Sequence, residues 1–160
     1  IETQKMLKNL PEGTTQVSVS DIEKNVGISR QFSIFELTKE LSYKNSAKAL
    51  RIAAYIGSAA KFALPMATSA LYTHFYRILK YGALLASDPR PGNDQKAKIL
   101  AVNPYFFQEY DTAVRNYPVK KAMAVIALLK EYDYKGKGGD VGEATPAELM
   151  VELTAKILNI

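Results

Sequence analysis

Apolar residues recur at spacings of three and four along nearly all of this 160-residue sequence, and sustained period-two alternation is confined to residues 14–19. An α-helix turns once every 3.6 residues whereas a strand alternates every two, so this periodicity confines the chain to an all-α fold. Proline and glycine then divide it. Residues 2–10 read as a helix closed by Pro11-Glu12-Gly13. Ser20-Asp21-Ile22-Glu23 is a capping box, its Ser hydroxyl accepting from the Glu backbone N–H while the Glu carboxylate reaches back, and it opens a short helix ended by Gly27.

Beyond residue 32 the segments lengthen. A helix is expected over residues 33–41, burying Ile34, Phe35, Leu37 and Leu41, and another over 46–57, using Ala49, Leu50, Ala53 and Ile56. Pro65 suits the first turn of a long helix, where its missing N–H costs nothing. That helix carries Leu71, Phe75, Ile78, Leu79 and Leu85 on its apolar face, and the loop at 87–93 stops it. Asn103-Pro104 predicts an N-cap followed by Pro at the first helical position, opening a helix to about Asn116. Tyr117-Pro118 starts the next, with Val119, Met123, Ile126 and Leu129 on one face, running to about Tyr134. After the glycine-rich stretch 136–142, Thr145-Pro146-Ala147-Glu148 forms a second capping box, and the last helix buries Leu149, Val151, Leu153, Ile157 and Leu158. The short helices before residue 32 are too small to hold a core, whereas the six longer ones after it suffice for a bundle. The first part therefore reads as the tail of a preceding domain, and Ile1 in place of Met as a boundary inside a longer protein.

Composition narrows the chemistry. The absence of cysteine excludes a disulfide scaffold, a thiolate metal site and a Cys nucleophile together. The longest uncharged run, 62–76, contains Pro65 and His74 and falls short of the roughly 20 apolar residues of a spanning helix. It reads as a buried core helix, and no membrane partner is expected. His74, the sole histidine, sits among Tyr72, Phe75 and Tyr76 and reads as a packed imidazole, because a metal would need further ligands. The carboxylates of Glu109 and Asp111, and of Glu131 and Asp133, diverge at i, i+2 on a helix and read as solvated charges. No G-x-S-x-G elbow occurs, and the glycine stretch follows a helix and lacks the hydroxyl after its Lys that a phosphate cradle needs. No catalytic residue, cofactor, metal or small-molecule substrate is expected.

A net charge of +5 and a pI near 9.3 permit a polyanionic partner. The excess is local: six cations lie between Arg115 and Lys137 against two anions. Lys130, Tyr132, Tyr134, Lys135 and Lys137 gather at a helix end beside the glycine loop and are candidates for pairing phosphate contacts with base stacking. The alternative is a solvated terminus whose cations complement the helix dipole. Tyr105, Phe106, Phe107 and Tyr110 place four aromatics in six residues, too many to face one core. Most should fill the interior and at least one should meet a partner or solvent.

Two stretches carry a family resemblance. Val26-Gly27-Ile28-Ser29-Arg30-Gln31-Phe32-Ser33-Ile34-Phe35-Glu36-Leu37 resembles the segment that joins the lid to the C-terminal domain in the delta subunit of the bacterial DNA polymerase III clamp loader. The run from Leu100 through Val102-Asn103-Pro104-Tyr105-Phe106 to Tyr110, then Ala113 to Tyr117, is similar to a segment of one branch of that family. Leu128 to Lys137 and Ala147-Glu148-Leu149 fit its last two helices. Ala101 departs from the pattern, which has Gly before Val-Asn-Pro.

The resemblance implies that residues 1–32 end a small helical lid and that 33–160 form a helical collar. Such a collar packs beside delta-prime and the gamma or tau subunits without ATP, and the assembly meets primed DNA. The resemblance puts the sliding-clamp contact in a first domain that this sequence lacks, and places the protein in the cytoplasm at the nucleoid. It implies no catalysis by this subunit, polymerase activity belonging to other subunits of the holoenzyme. The rival from another class is a free-standing helical nucleic-acid binder using the basic segment 115–137.

Overall fold

The computed structural model describes residues 30–160. The expected helix at 2–10, the alternating stretch at 14–19 and the helix opened by Ser20 lie outside these residues. Seven α-helices follow in order: α1 (Arg30–Ser42), α2 (Ser46–Gly57), α3 (Leu64–Ser87), α4 (Asn93–Leu100), α5 (Phe107–Asn116), α6 (Val119–Gly136) and α7 (Pro146–Leu158). A single 3-10 turn, Pro104–Phe106, precedes α5, and no strand occurs among the described residues. The all-α expectation holds.

The long helix α3 organises the bundle. Its buried residues Leu64, Ala67, Leu71, Phe75, Ile78 and Tyr81 recur at three and four spacing, so one broad stripe faces the interior. α6 packs along α3 more extensively than any other pair, α7 lies against α2, and α1 closes over α2. Pro65 stands in the first turn of α3 as expected. Asn103 Oδ1 accepts from the Tyr105 N–H at 2.9 Å, and Thr145 and Glu148 complete their reciprocal cap at 3.2 and 2.8 Å. These stops and starts depend on neighbours within three residues, which is why the sequence specifies them.

Four features depart from the sequence reading. Phe35 is 63% exposed, although Ile34, Leu37 and Leu41 on the same helix are buried. α4 is not expected from the sequence, because Pro91-Gly92-Asn93 reads as a turn. Its start is capped by the Gln95 side chain accepting from the Gly92 N–H at 3.2 Å, and Leu100 anchors it in the core. α6 turns a different face inward: Ala122, Val125, Leu129 and Tyr132 are buried while Met123 is 56% exposed. Residues 122–129 are apolar around most of the helix, so two stripes compete and the period alone does not choose. Val151 and Leu158 on α7 are half-buried, their expected places in the core taken by Met150 and Thr154.

Ala101, the departure from the family pattern, sits at the C-terminal cap of α4 with φ 52° and ψ 40°. That left-handed conformation costs an L-residue about 1 kcal/mol, and glycine adopts it freely.

Candidate functional site

His74 lies inside the bundle between two hydroxyls, its Nε2 2.7 Å from Ser42 Oγ and its Nδ1 3.1 Å from Tyr110 Oη. Ser42 Oγ also donates to the Thr38 carbonyl at 2.8 Å. With its one proton committed there, Ser42 accepts from the imidazole Nε2–H, and Nδ1 accepts from the tyrosine. The pair is therefore not a nucleophile and base. Burial, reinforced by nearby Arg77, holds the imidazole pKa down to about 3, so it is neutral near neutral pH. The sequence reading of His74 as a packed imidazole agrees with this geometry. Among the described residues no cluster of His, Asp or Glu is arranged to hold a metal, and no helix is long and apolar enough to cross a membrane.

The basic helix end is only partly assembled as the sequence suggested. Tyr132 is fully buried; its hydroxyl donates to Glu152 on α7 at 2.6 Å, and Lys135 and Lys156 lie over its ring. It is a packing residue with no ring face open to a base. Lys135 pairs with Glu131 at 3.3 Å and Lys137, just past the end of α6, with Asp133 at 2.7 Å, so each cation has an acid four residues back as its partner. Lys130 and Tyr134, four residues apart, stand on the exposed side of α6, and Lys137 follows just past its end. Tyr134 lies over Gly139, where a Cβ would overlap its ring. The glycine loop thus turns back against the helix end through that close approach.

The aromatic segment divides in two. Phe107 and Tyr110 are buried in α5, two of the four rather than the expected majority, and burial removes these two from a partner surface. Tyr105 is 84% exposed and meets Phe106 edge-to-face at 5.2 Å, the pair projecting from the 3-10 turn.

Phe106 also closes one end of an apolar groove of about 670 Å³ between α1 and α3. Ile34 and Phe35 form one wall, Met66 and Ala70 the other, and His74 and Ala67 lie at its floor. Its rim carries Glu36, Lys39, Arg77 and Glu109, none of which forms an ion pair among the described residues. Burial pushes the Glu109 carboxyl up, an effect opposed by Lys39 and reinforced by Glu40. Sequence reasoning missed this site. Its available signal was slight, Met66 and Ala70 one turn apart on α3 and displaced from the core stripe.

No family model matches the chain, and no curated protein matches it in sequence. Among solved structures, the Bacillus subtilis DNA clamp loader delta protein has a similar fold, with a TM-score of 0.65 over 99% of this chain and 19% sequence identity. The match takes in 45% of that chain, so the sequence spans less than half the length of the protein it resembles.

Proposed function

Starting from that shared fold, we propose that this chain is the end of the lid and the collar of a clamp-loader delta subunit, acting as an assembly module. The observation that carries the proposal is a fold likeness extending over 99% of the chain. The motifs around Val26 to Leu37 and Leu100 to Tyr110 support it independently of that likeness. The lid would be residues 1–32 and the collar 33–160, a division that falls within the first turns of α1.

In this role the buried helix faces hold the module together, and exposed Tyr105 and Phe106 meet neighbouring subunits, delta-prime and gamma or tau. The complete protein would help open and load the sliding clamp through its first domain, in the cytoplasm at the nucleoid. The rival, a free-standing nucleic-acid binder built on 115–137, is weakened by the ion pairs that occupy Lys135 and Lys137. The test mixes the folded chain with the other purified loader subunits of its source in size-exclusion chromatography. Co-elution is expected; a folded chain that elutes alone overturns the proposal.

For DNA contact in the assembled loader the candidates are Lys130 and Tyr134, exposed on α6 and outside the ion pairs of Lys135 and Lys137, whereas Tyr132 is buried. Lys130→Ala is expected to weaken binding to primed DNA and to flatten its log–log salt dependence by about 1 unit, roughly 0.9 for the one phosphate no longer neutralised. An unchanged slope removes this site from the DNA interface and leaves the assembly role standing.

A further inference from the structure

The groove between α1 and α3 has the spacing of a helix-binding seam. Met66, Ala70 and Thr73 line it from α3 at i, i+4 and i+7, the alternation of four and three by which one helix receives another, and Arg77 stands one turn further on at its rim. The line from Met66 to Thr73 extends about 11 Å at 1.5 Å per residue, two turns of a partner helix. Ala70 at its centre leaves room for a close backbone approach. Large apolar side chains stand uncovered at its margins, Met66 being 60% exposed. Such a surface is costly to leave in water and marks an interaction site.

The rim states what kind of partner fits. Glu36 and Lys39 stand on α1, Arg77 on α3, and Glu109 on α5 within electrostatic reach of Lys39, two charges of each sign with no ion-pair partner within the described residues. Two carboxylates among the four charges offset the attraction of the cations for a phosphate backbone. Mixed charges flanking an apolar seam instead complement a helix whose stripe is bordered by both acidic and basic residues, as at the margins of coiled coils.

We infer that this groove receives an amphipathic helix of a neighbouring protein subunit, bearing an apolar stripe about two turns long with charges of both signs beside it. The inference rests on the assembly role proposed above and names the surface that role uses.

The chain has no cysteine, so Met66→Cys gives a unique attachment point for a photoactivatable crosslinker. The experiment uses the complete chain and the purified loader subunits, with DNA present. The expected product joins position 66 to an apolar helical segment of another subunit. Ala70→Glu should abolish that product and weaken association at least tenfold, with helicity and thermal midpoint unchanged. Should Ala70→Glu fail to fold, Met66→Glu at the more exposed position serves instead.

A product with residues 1–29 of the same chain, with a second copy or with DNA overturns the inference, as does no product. If the wild-type chain fails to join the loader, the assembly role falls and the groove inference with it. If the wild-type chain joins and both charged variants join equally well, the groove inference alone falls.

Discussion

Phe75→Ala is expected to lower the unfolding free energy by about 3–5 kcal/mol, the cost of deleting a large buried aromatic and leaving part of its volume empty. Phe75 is fully buried at the middle of α3, with Tyr117 edge-on at 5.0 Å and His74 at 5.5 Å. The effect reaches beyond its own neighbours. Tyr117 donates its hydroxyl to the Leu41 carbonyl at 2.8 Å, and Asn116 donates to the Ser42 carbonyl at 2.8 Å. The Asn116 bond caps a carbonyl at the end of α1, and the Tyr117 hydroxyl is a second donor to the Leu41 carbonyl, which also accepts from the Lys44 N–H at 3.0 Å. A cavity under Tyr117 therefore loosens the attachment of α1 as well as the α3 core. Thermal unfolding followed by helical circular dichroism should show a drop on the order of 10 °C. Tyr76→Ala, one residue along on the solvent side, should stay within about 1 kcal/mol although it removes the ring beneath the Lys80 ammonium. Equal effects at the two positions would contradict this packing.

Stability should also fall as pH is lowered from 7 to 5, through His74. The imidazole pKa is about 3 in the folded chain against 6.5 without burial, so the unfolded chain takes up the proton first. Protonation then favours unfolding: the contribution is flat above pH 6.5 and declines by about 1.4 kcal/mol per pH unit towards pH 3. About 2 kcal/mol should be lost between pH 7 and pH 5. The carboxylates of Asp133 and Glu152 are held low by their partners, Lys137 and Tyr132 first respectively, so their contributions fade at lower pH than this window. Urea unfolding at a series of pH values measures the slope, and His74→Gln should remove it above pH 5 while lowering stability at pH 7. A slope that persists in this variant would place the titration elsewhere.

Much of this architecture is legible locally, and the misses share one cause. The caps at Asn103 and Thr145 and the proline in the first turn of α3 are where the sequence puts them, since each is decided by groups within one turn. α4 is not legible because its start resembles a turn and its decisive anchor, Leu100, is secured only by burial. On α6 the sequence offers overlapping apolar stripes. The choice that exposes Met123 and buries Tyr132 follows from a partner twenty residues away, Glu152, which accepts the tyrosine hydroxyl.

The candidate sites divide in the same way. Charge clustering pointed to residues 130–137, yet burial of Tyr132 and the ion pairs of Lys135 and Lys137 are properties of the folded helix end. Aromatic density pointed to residues 105–110, and tertiary packing sorted them, Phe107 and Tyr110 inward, Tyr105 and Phe106 outward. By itself the sequence determined the helical class, most segment limits and the absence of cysteine chemistry, because these depend on residue type and on spacings shorter than two turns. Only the tertiary structure decided which apolar residues remain uncovered. Phe35 and Met66 lie 31 positions apart in sequence and become the walls of one groove when α1 and α3 pack together.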